Sequence, residues 1–128
     1  MPRSHSERLR SQHRLTSGTD YAELKSRGTA YRGHHCLLVA LARPGEITRV
    51  GFVASRRGVG GAVDRNRARR RLREIVRRRW VRVPPIGYWL MFVAGRSATT
   101  AAYQDLASDV ERVLAAAGAL APLPGKLA

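Results

Sequence analysis

The chain has 128 residues, with 24 Lys or Arg against 9 Asp or Glu, a formal net charge of +15 and a pI near 11.7. That length admits one domain with a real core and no comfortable second one, and a hydrophobic content of 44% argues against wholesale disorder. The charge calls for an anionic partner; no segment approaches the roughly 20 apolar residues of a membrane span, and the start MPRSHSERLRSQHR lacks the apolar stretch of a secretory signal.

Residues 1–17 are polar and basic without an apolar stripe and read as a flexible arm, with the domain expected over 18–117 and a flexible tail over 118–128. A short helix opens the domain: Thr19 or Asp20 caps it, Tyr21 and Leu24 form its buried stripe, and Gly28 ends it. Residues 31–34 leave room for a short extra strand. The apolar run CLLVALA at 36–42, the turn signal Arg43-Pro44-Gly45 and the run ITRVGFVA at 47–54 predict a β-hairpin. In the second run Val50, Phe52 and Ala54 share one face, while Arg49, Gly51, Val53 and Ser55 share the other. Cys36, the single cysteine, forbids an intrachain disulfide, reads as a small buried hydrophobe and fits a reducing cytoplasm.

The glycine-rich link RRGVGG at 56–61 leads into an arginine-rich helix, which Pro84-Pro85 must close. The run YWLMFVA at 88–94 is a buried strand. Ser97, Thr99 or Thr100 then caps a last helix with Tyr103, Leu106, Val110, Val113 and Leu114 as its stripe. The order α-β-β-(β)-α-β-α predicts an α/β (α+β) two-layer sandwich with a mixed sheet. If the strands at 47–54 and 88–94 are neighbours they form a parallel crossover unit, right-handed by default.

The stretch GAVDRNRARRRLREIVRRR at 61–79 sets nine arginines against Asp64 and Glu74. On a helix, Ala68, Leu72, Ile75 and Val76 form an apolar face. Asn66, Arg70, Arg73 and Arg77 make one flank; Arg67, Arg71 and Arg78 make the other, with Glu74 between them. A merely solvated face explains an ordinary mixed-sign helix, but like-charge pairs at i,i+4 cost about 0.2–0.5 kcal/mol each and Glu74 alone is spaced to relieve them. Nucleic-acid phosphates would remove that repulsion and release counterions. All but Lys25 and Lys126 of the basic residues are arginines, whose planar fork grips phosphate in two places and stacks on bases. Asn66 can donate and accept at once, which suits a phosphate, a ribose hydroxyl or a base edge, and equally suits a solvated first turn. Asp64 complements the helix dipole, and GVGG lacks the Lys-Ser/Thr of a phosphate-binding loop.

No catalytic or metal-binding constellation stands out. The nine carboxylates are scattered, and Asp109 and Glu111 read as plain capping or ion-pair residues on a helix. The adjacent His34 and His35 would point to opposite faces of a strand and lack cysteine partners for a metal. Three readings compete with an RNA-assisting role: a structural RNA-binding protein such as a small ribosomal protein, a DNA binder with its arginine helix in a major groove, and a self-sufficient nuclease.

The run RVGFVASRRGVGGAVDRNRARRRLRE at 49–74 resembles the signature of the bacterial ribonuclease P protein subunits: a strand ending in Ser and two basic residues, a Gly-x-Ala-Val turn, then Arg65-Asn66-Arg67, the basic pair Arg69-Arg70 and Arg73-Glu74. His13 to Leu15, Asp20-Tyr21 and Gly28 extend the likeness. The resemblance implies an α/β sandwich with a left-handed βαβ crossover carrying the arginine helix. It also implies a cytoplasmic partner of a catalytic RNA that, with Mg²⁺ bound mainly by the RNA, removes the 5′ leader of precursor tRNA. Neither a membrane nor a further protein partner is implied, and no catalytic residue is expected in the chain. On this likeness Arg65, Asn66, Arg67, Arg69, Arg70, Arg73 and Arg77 would contact the RNA subunit. Tyr21 would stack on the single-stranded leader beside Ser55, Arg56 and Arg57, across the sheet from that docking surface. The chain departs from the pattern at Lys25 and Val39, where the family often has aromatics, at Gly58, one residue more than usual, and at Gly61, in place of Asn.

Overall fold

The computed structural model describes residues 9–121, and among these three α-helices pack on a four-stranded sheet. Helix α1 (Gly18–Arg27) starts earlier than Thr19 or Asp20 would have it. The Ser17 side chain accepts the Thr19 N–H and is the cap, which leaves Asp20 in the positive first turn. Strands β1 (Thr29–Arg32) and β2 (Cys36–Ile47) follow, so the short extra strand exists, two residues ahead of 31–34. After β3 (Arg49–Val53) come α2 (Ala62–Arg78), β4 (Ile86–Ala94) and α3 (Tyr103–Ala116).

The expected hairpin between the second and third strands does not form. The sheet order is β1-β2-β4-β3, with β4 antiparallel to β2 and parallel to β3, Arg49 lying opposite Trp89 and Val53 opposite Val93. Arg43-Pro44-Gly45 is no turn: β2 runs through it as an irregular extension and pairs again at Ile47 with Ile86. The chain turns at Thr48, which is fully buried. Its N–H donates to the Pro85 carbonyl (2.9 Å) and its hydroxyl accepts the Tyr88 N–H (3.3 Å), so it carries the chain past the start of β4 to that strand's far side. Trp89 to Phe92 are buried, which suits a central strand covered on both faces. Strands β3 and β4, joined through α2, make the parallel crossover unit.

The larger core sets Ala68, Leu72, Ile75 and Val76 of α2 and Leu106, Val110 and Leu114 of α3 against Leu38, Val50, Leu90 and Phe92. Each large side chain fully buried there is worth roughly 1.5–3 kcal/mol. The two-layer sandwich describes this side. On the opposite face α1 adds a partial layer, its Leu24 packing with Leu15, Val39, Trp89 and Met91.

The domain is wider than 18–117. Leu9 and Leu15 are buried, a single 3-10 turn covers Ser11–His13, and the His13 ring hydrogen-bonds the Thr48 carbonyl at 2.7 Å. Arg14 pairs with Val50, and the Leu15 N–H donates to the Val50 carbonyl (2.9 Å), so residues expected to be an arm shield the exposed edge of β3. At the other end Ala119 is buried and the Ala121 N–H donates to the Arg82 carbonyl at 2.8 Å. The rest of the expected arm and tail, 1–8 and 122–128, lies outside the described residues.

Candidate nucleic-acid interface

The two flanks of α2 do different work. Arg67 donates through Nε to the Thr99 carbonyl (2.9 Å), and Arg71 donates to the carbonyls of Ala98 (2.8 Å) and Ala101 (2.5 Å). These acceptors belong to the 3-10 turn Arg96–Thr99 and its exit. Held in this way, Ser97, Thr99 and Thr100 do not cap α3, which starts at Tyr103 after Ala102 with no side-chain cap. Further along, Glu74 accepts from Arg77 and Arg78, and those hydrogen bonds hold its carboxyl below the usual carboxylate range. Arg79 pairs with Glu111 at 2.7 Å.

On the other flank Asn66, Arg70 and Arg73 are exposed, and among the described residues Arg65, Arg70 and Arg73 form no ion pair. Arg69 donates to the Asn66 side-chain carbonyl, which orients the amide. The Arg73 guanidinium lies over the Phe52 ring, 5.6 Å from its centroid. Of the seven residues expected to contact RNA, Asn66, Arg70 and Arg73 are exposed together with Arg69 bonded to Asn66, whereas Arg65 is only half-exposed and its Nε is buried without a hydrogen-bond partner. Arg67 is anchored at Nε although its side chain stays exposed, and Arg77 is held by Glu74.

Tyr21 is half-buried on α1. Its hydroxyl donates to the Leu15 carbonyl (2.9 Å); burial raises its pKa, an effect that the nearby Phe52 backbone partly offsets. The ring lies against Gly51, where an added Cβ would come within 2.0 Å of the tyrosine oxygen, so glycine is required there for space. Tyr21, Arg14, Thr16, Phe52 and Arg73 line one cavity of about 170 Å³ at the β3 edge. Tyr21 and α2 thus lie on opposite faces of the sheet, as expected from the sequence, and only at the β3 edge do Tyr21 and Arg73 border the same cavity.

Ser55, Arg56 and Arg57 are exposed just beyond β3. The Ser55 hydroxyl accepts the Gly58 N–H (2.8 Å) and its carbonyl accepts the Val59 N–H (2.9 Å), so the extra Gly58 is absorbed in a closed turn that leaves both arginines facing out. Lys25 is exposed, whereas Val39 belongs to the smaller core.

One residue that organises this end of the sheet reads in the sequence only as a capping or ion-pair residue. Asp109, 1% exposed, accepts the backbone N–H groups of His34 (2.8 Å), His35 (2.8 Å) and Cys36 (3.2 Å), and also the Arg112 guanidinium. Burial pushes its pKa up, but the hydrogen bonds from His34, His35, Arg112 and Cys36 prevail and leave it below the ordinary value. The same burial, with the Asp109 charge, pushes the Cys36 thiol up to about 12, which makes it an inert neutral donor. His35 in turn hydrogen-bonds Ser97 at 2.7 Å, tying the β1–β2 turn to the segment that Arg67 and Arg71 hold. The available signal was a charged residue on the apolar stripe of α3, between Leu106 and Val113.

A model of the Ribonuclease P family matches residues 9–118, nearly the whole of the described chain. This chain belongs to the ribonuclease P protein family. The ribonuclease P protein component of Dehalococcoides mccartyi (strain CBDB1) is 34% identical over 106 residues, 83% of this chain and 85% of that protein. That of Symbiobacterium thermophilum is 35% identical over 113 residues, 88% of this chain and 96% of the relative. The fold is shared with the Staphylococcus aureus RNase P protein (TM-score 0.73, 18% identity, covering 84% of this chain and 97% of that one). It is shared too with the Thermotoga maritima RNase P protein (TM-score 0.68, 21% identity, 79% and 94%). As a ribonuclease P protein component the chain serves in the maturation of tRNA 5′ ends, within an endoribonuclease complex that pairs it with an RNA subunit. A small ribosomal protein is not favoured by these matches. Among the described residues no three His, Cys, Asp or Glu side chains converge as a metal site, and no helix is long and apolar enough to cross a membrane.

Proposed function

We propose that the flank of α2 bearing Arg65, Asn66, Arg69, Arg70 and Arg73 docks this protein on the catalytic RNA subunit, and that the β3 edge guides the 5′ leader of precursor tRNA. Arg67 and Arg77 border the docking surface and contribute through their outer atoms. The observation that carries this reading is that Arg70 and Arg73, exposed beside Asn66, form no ion pair among the described residues, while Arg67, Arg71 and Arg77 on the same helix are bonded within the protein. Phosphates supply the charge that flank lacks. Tyr21, seated by its bond to Leu15, offers its ring to an unpaired base, while Ser55 fixes the turn from which Arg56 and Arg57 reach the leader backbone. With Lys25 and Val39 in place of aromatics, the leader is held more by charge than by stacking.

The cleavage chemistry, on this reading, belongs to the RNA subunit with Mg²⁺. Among the described residues no Mg²⁺ cage is formed: Glu23, Glu46, Glu74, Asp109 and Glu111 are engaged by arginines, and no three acidic, His or Cys side chains converge. The protein's part is to hold two RNAs in register, in the cytoplasm and without a further protein partner. Reconstitution tests it: mixed with the RNA subunit and precursor tRNA at low Mg²⁺, the protein should stimulate 5′ cleavage, and no stimulation by a cognate RNA would overturn the reading. Tyr21→Ala should raise the Kd for leader-bearing substrate while leaving RNA-subunit affinity near normal; equal losses in both would make Tyr21 a core residue only.

A further inference from the structure

At the end of the sheet where the parallel strands β3 and β4 finish, the N-terminus of the helix that joins them faces the turn after β4. Such crevices attract anions, because first-turn N–H groups and the positive end of the helix dipole converge there. Here Asp64, in that first turn, lines a cavity of about 600 Å³ together with His34, Arg96, Ser97, Thr99 and Thr100. Gly61, at the cap position of the 17-residue helix, brings no capping side chain. Gly60 has φ +130°, a conformation that suits glycine, and leads the chain in without side-chain bulk.

A second observation is independent of the helix. Thr99 is 8% exposed, and its Oγ1 has no hydrogen-bond partner although its own carbonyl is bonded by Arg67. A buried hydroxyl without a partner is costly, and a ligand oxygen in the cavity would satisfy it. Arg96 is exposed at the rim and supplies a full positive charge.

We propose that this cavity is a phosphate subsite that takes one phosphodiester group, with the Thr99 hydroxyl and the first-turn N–H groups of α2 donating to it and Arg96 balancing its charge. Asp64 lines the same cavity and opposes any anion. It therefore disfavours a doubly charged phosphomonoester more than a singly charged diester, which is the form that an RNA backbone carries. The phosphate site stands on the cavity and Thr99; its occupation by RNA rests on the reading of the chain as an RNA-binding subunit. Occupied, it would carry the RNA-facing surface from the Arg70 flank round the N-terminus of α2.

The test is an NMR titration of the full chain with inorganic phosphate, followed by a single-stranded oligoribonucleotide. Saturating shifts are expected at the amides of Ala62, Val63 and Asp64. Thr99→Val should weaken phosphate about tenfold, the loss of one charge-assisted hydrogen bond, and should raise the Tm of the free protein because the unpaired hydroxyl is gone. Asp64→Asn should tighten phosphate several-fold. Shifts confined to Arg70 and Arg73, or phosphate affinity unchanged by Thr99→Val, would overturn the site. Phosphate binding with these variant effects but no displacement by the oligoribonucleotide would overturn RNA as its source. Cleavage by the reconstituted wild-type complex reports on the RNA-subunit reading separately, so the two failures are distinguishable.

Discussion

On one flank of α2, Arg67 and Arg71 donate to backbone carbonyls at Ala98, Thr99 and Ala101; on the other, Arg65, Arg70 and Arg73 form no ion pair among the described residues. Both flanks are arginine, and both lie beside the same apolar face. The first joins α2, the turn after β4, His35 and Asp109 into one hydrogen-bonded assembly, whereas the charge of the second is not paired among the described residues. Arginine serves both ends because its fork can satisfy two carbonyls as readily as a phosphate.

The comparison can be broken most forcefully at Asp109. Asp109→Ala leaves three backbone N–H groups and Arg112 without their acceptor, and should cost on the order of 3 kcal/mol in urea unfolding. The pH dependence has a definite sign. Because the folded-state pKa of Asp109 lies below its ordinary value, its contribution is fully present above that ordinary value and is lost as pH falls through the folded one. Asp109→Asn should flatten that part of the acid limb, and an unchanged limb would show that the carboxylate is not held as described. Next in size, Arg71→Ala should lower stability by about 2 kcal/mol, read from thermal melts, with little change in salt slope. Arg70→Ala should do the reverse: stability stays put to within about 0.5 kcal/mol, RNA-subunit affinity falls about tenfold, and the log–log salt slope drops by about one. If Arg70→Ala destabilised the fold as much as Arg71→Ala, the division between the flanks would fail. Smallest, Tyr21→Phe should cost about 1 kcal/mol for its bond to Leu15 and leave RNA-subunit affinity unchanged.

Much of this was legible in the residue pattern. The apolar face of α2 fell where it was expected, at Ala68, Leu72, Ile75 and Val76, and the strand at 49–53 shows the alternation read from it. Periodicity reports which face a residue presents, but not which strand lies beside it, so β4 entering between β2 and β3 could not be read from either strand. The division among the arginines was hidden for a simpler reason: it depends on where the carbonyls of residues 98–101 sit, some thirty positions away. Ser17 was passed over because Thr19 and Asp20 are equally good caps in isolation. Asp109 reads as a plain capping or ion-pair residue, and it does pair with Arg112, but only its place among Leu106, Val110 and Val113 gives it a buried role.

The strand order also bears on how the chain assembles itself. Strand β3 is complete at Val53, but the neighbour it pairs with along its inner side begins only at Ile86, and that same strand is what β2 waits for. No nascent hairpin can hold β2 to β3 in the meantime. Sheet closure is thus a late, long-loop event that needs α2 already synthesised, and folding should be slow for a chain of this size. Until β4 arrives, what keeps those open apolar strands from neighbouring chains is the mutual repulsion of a strongly cationic polypeptide.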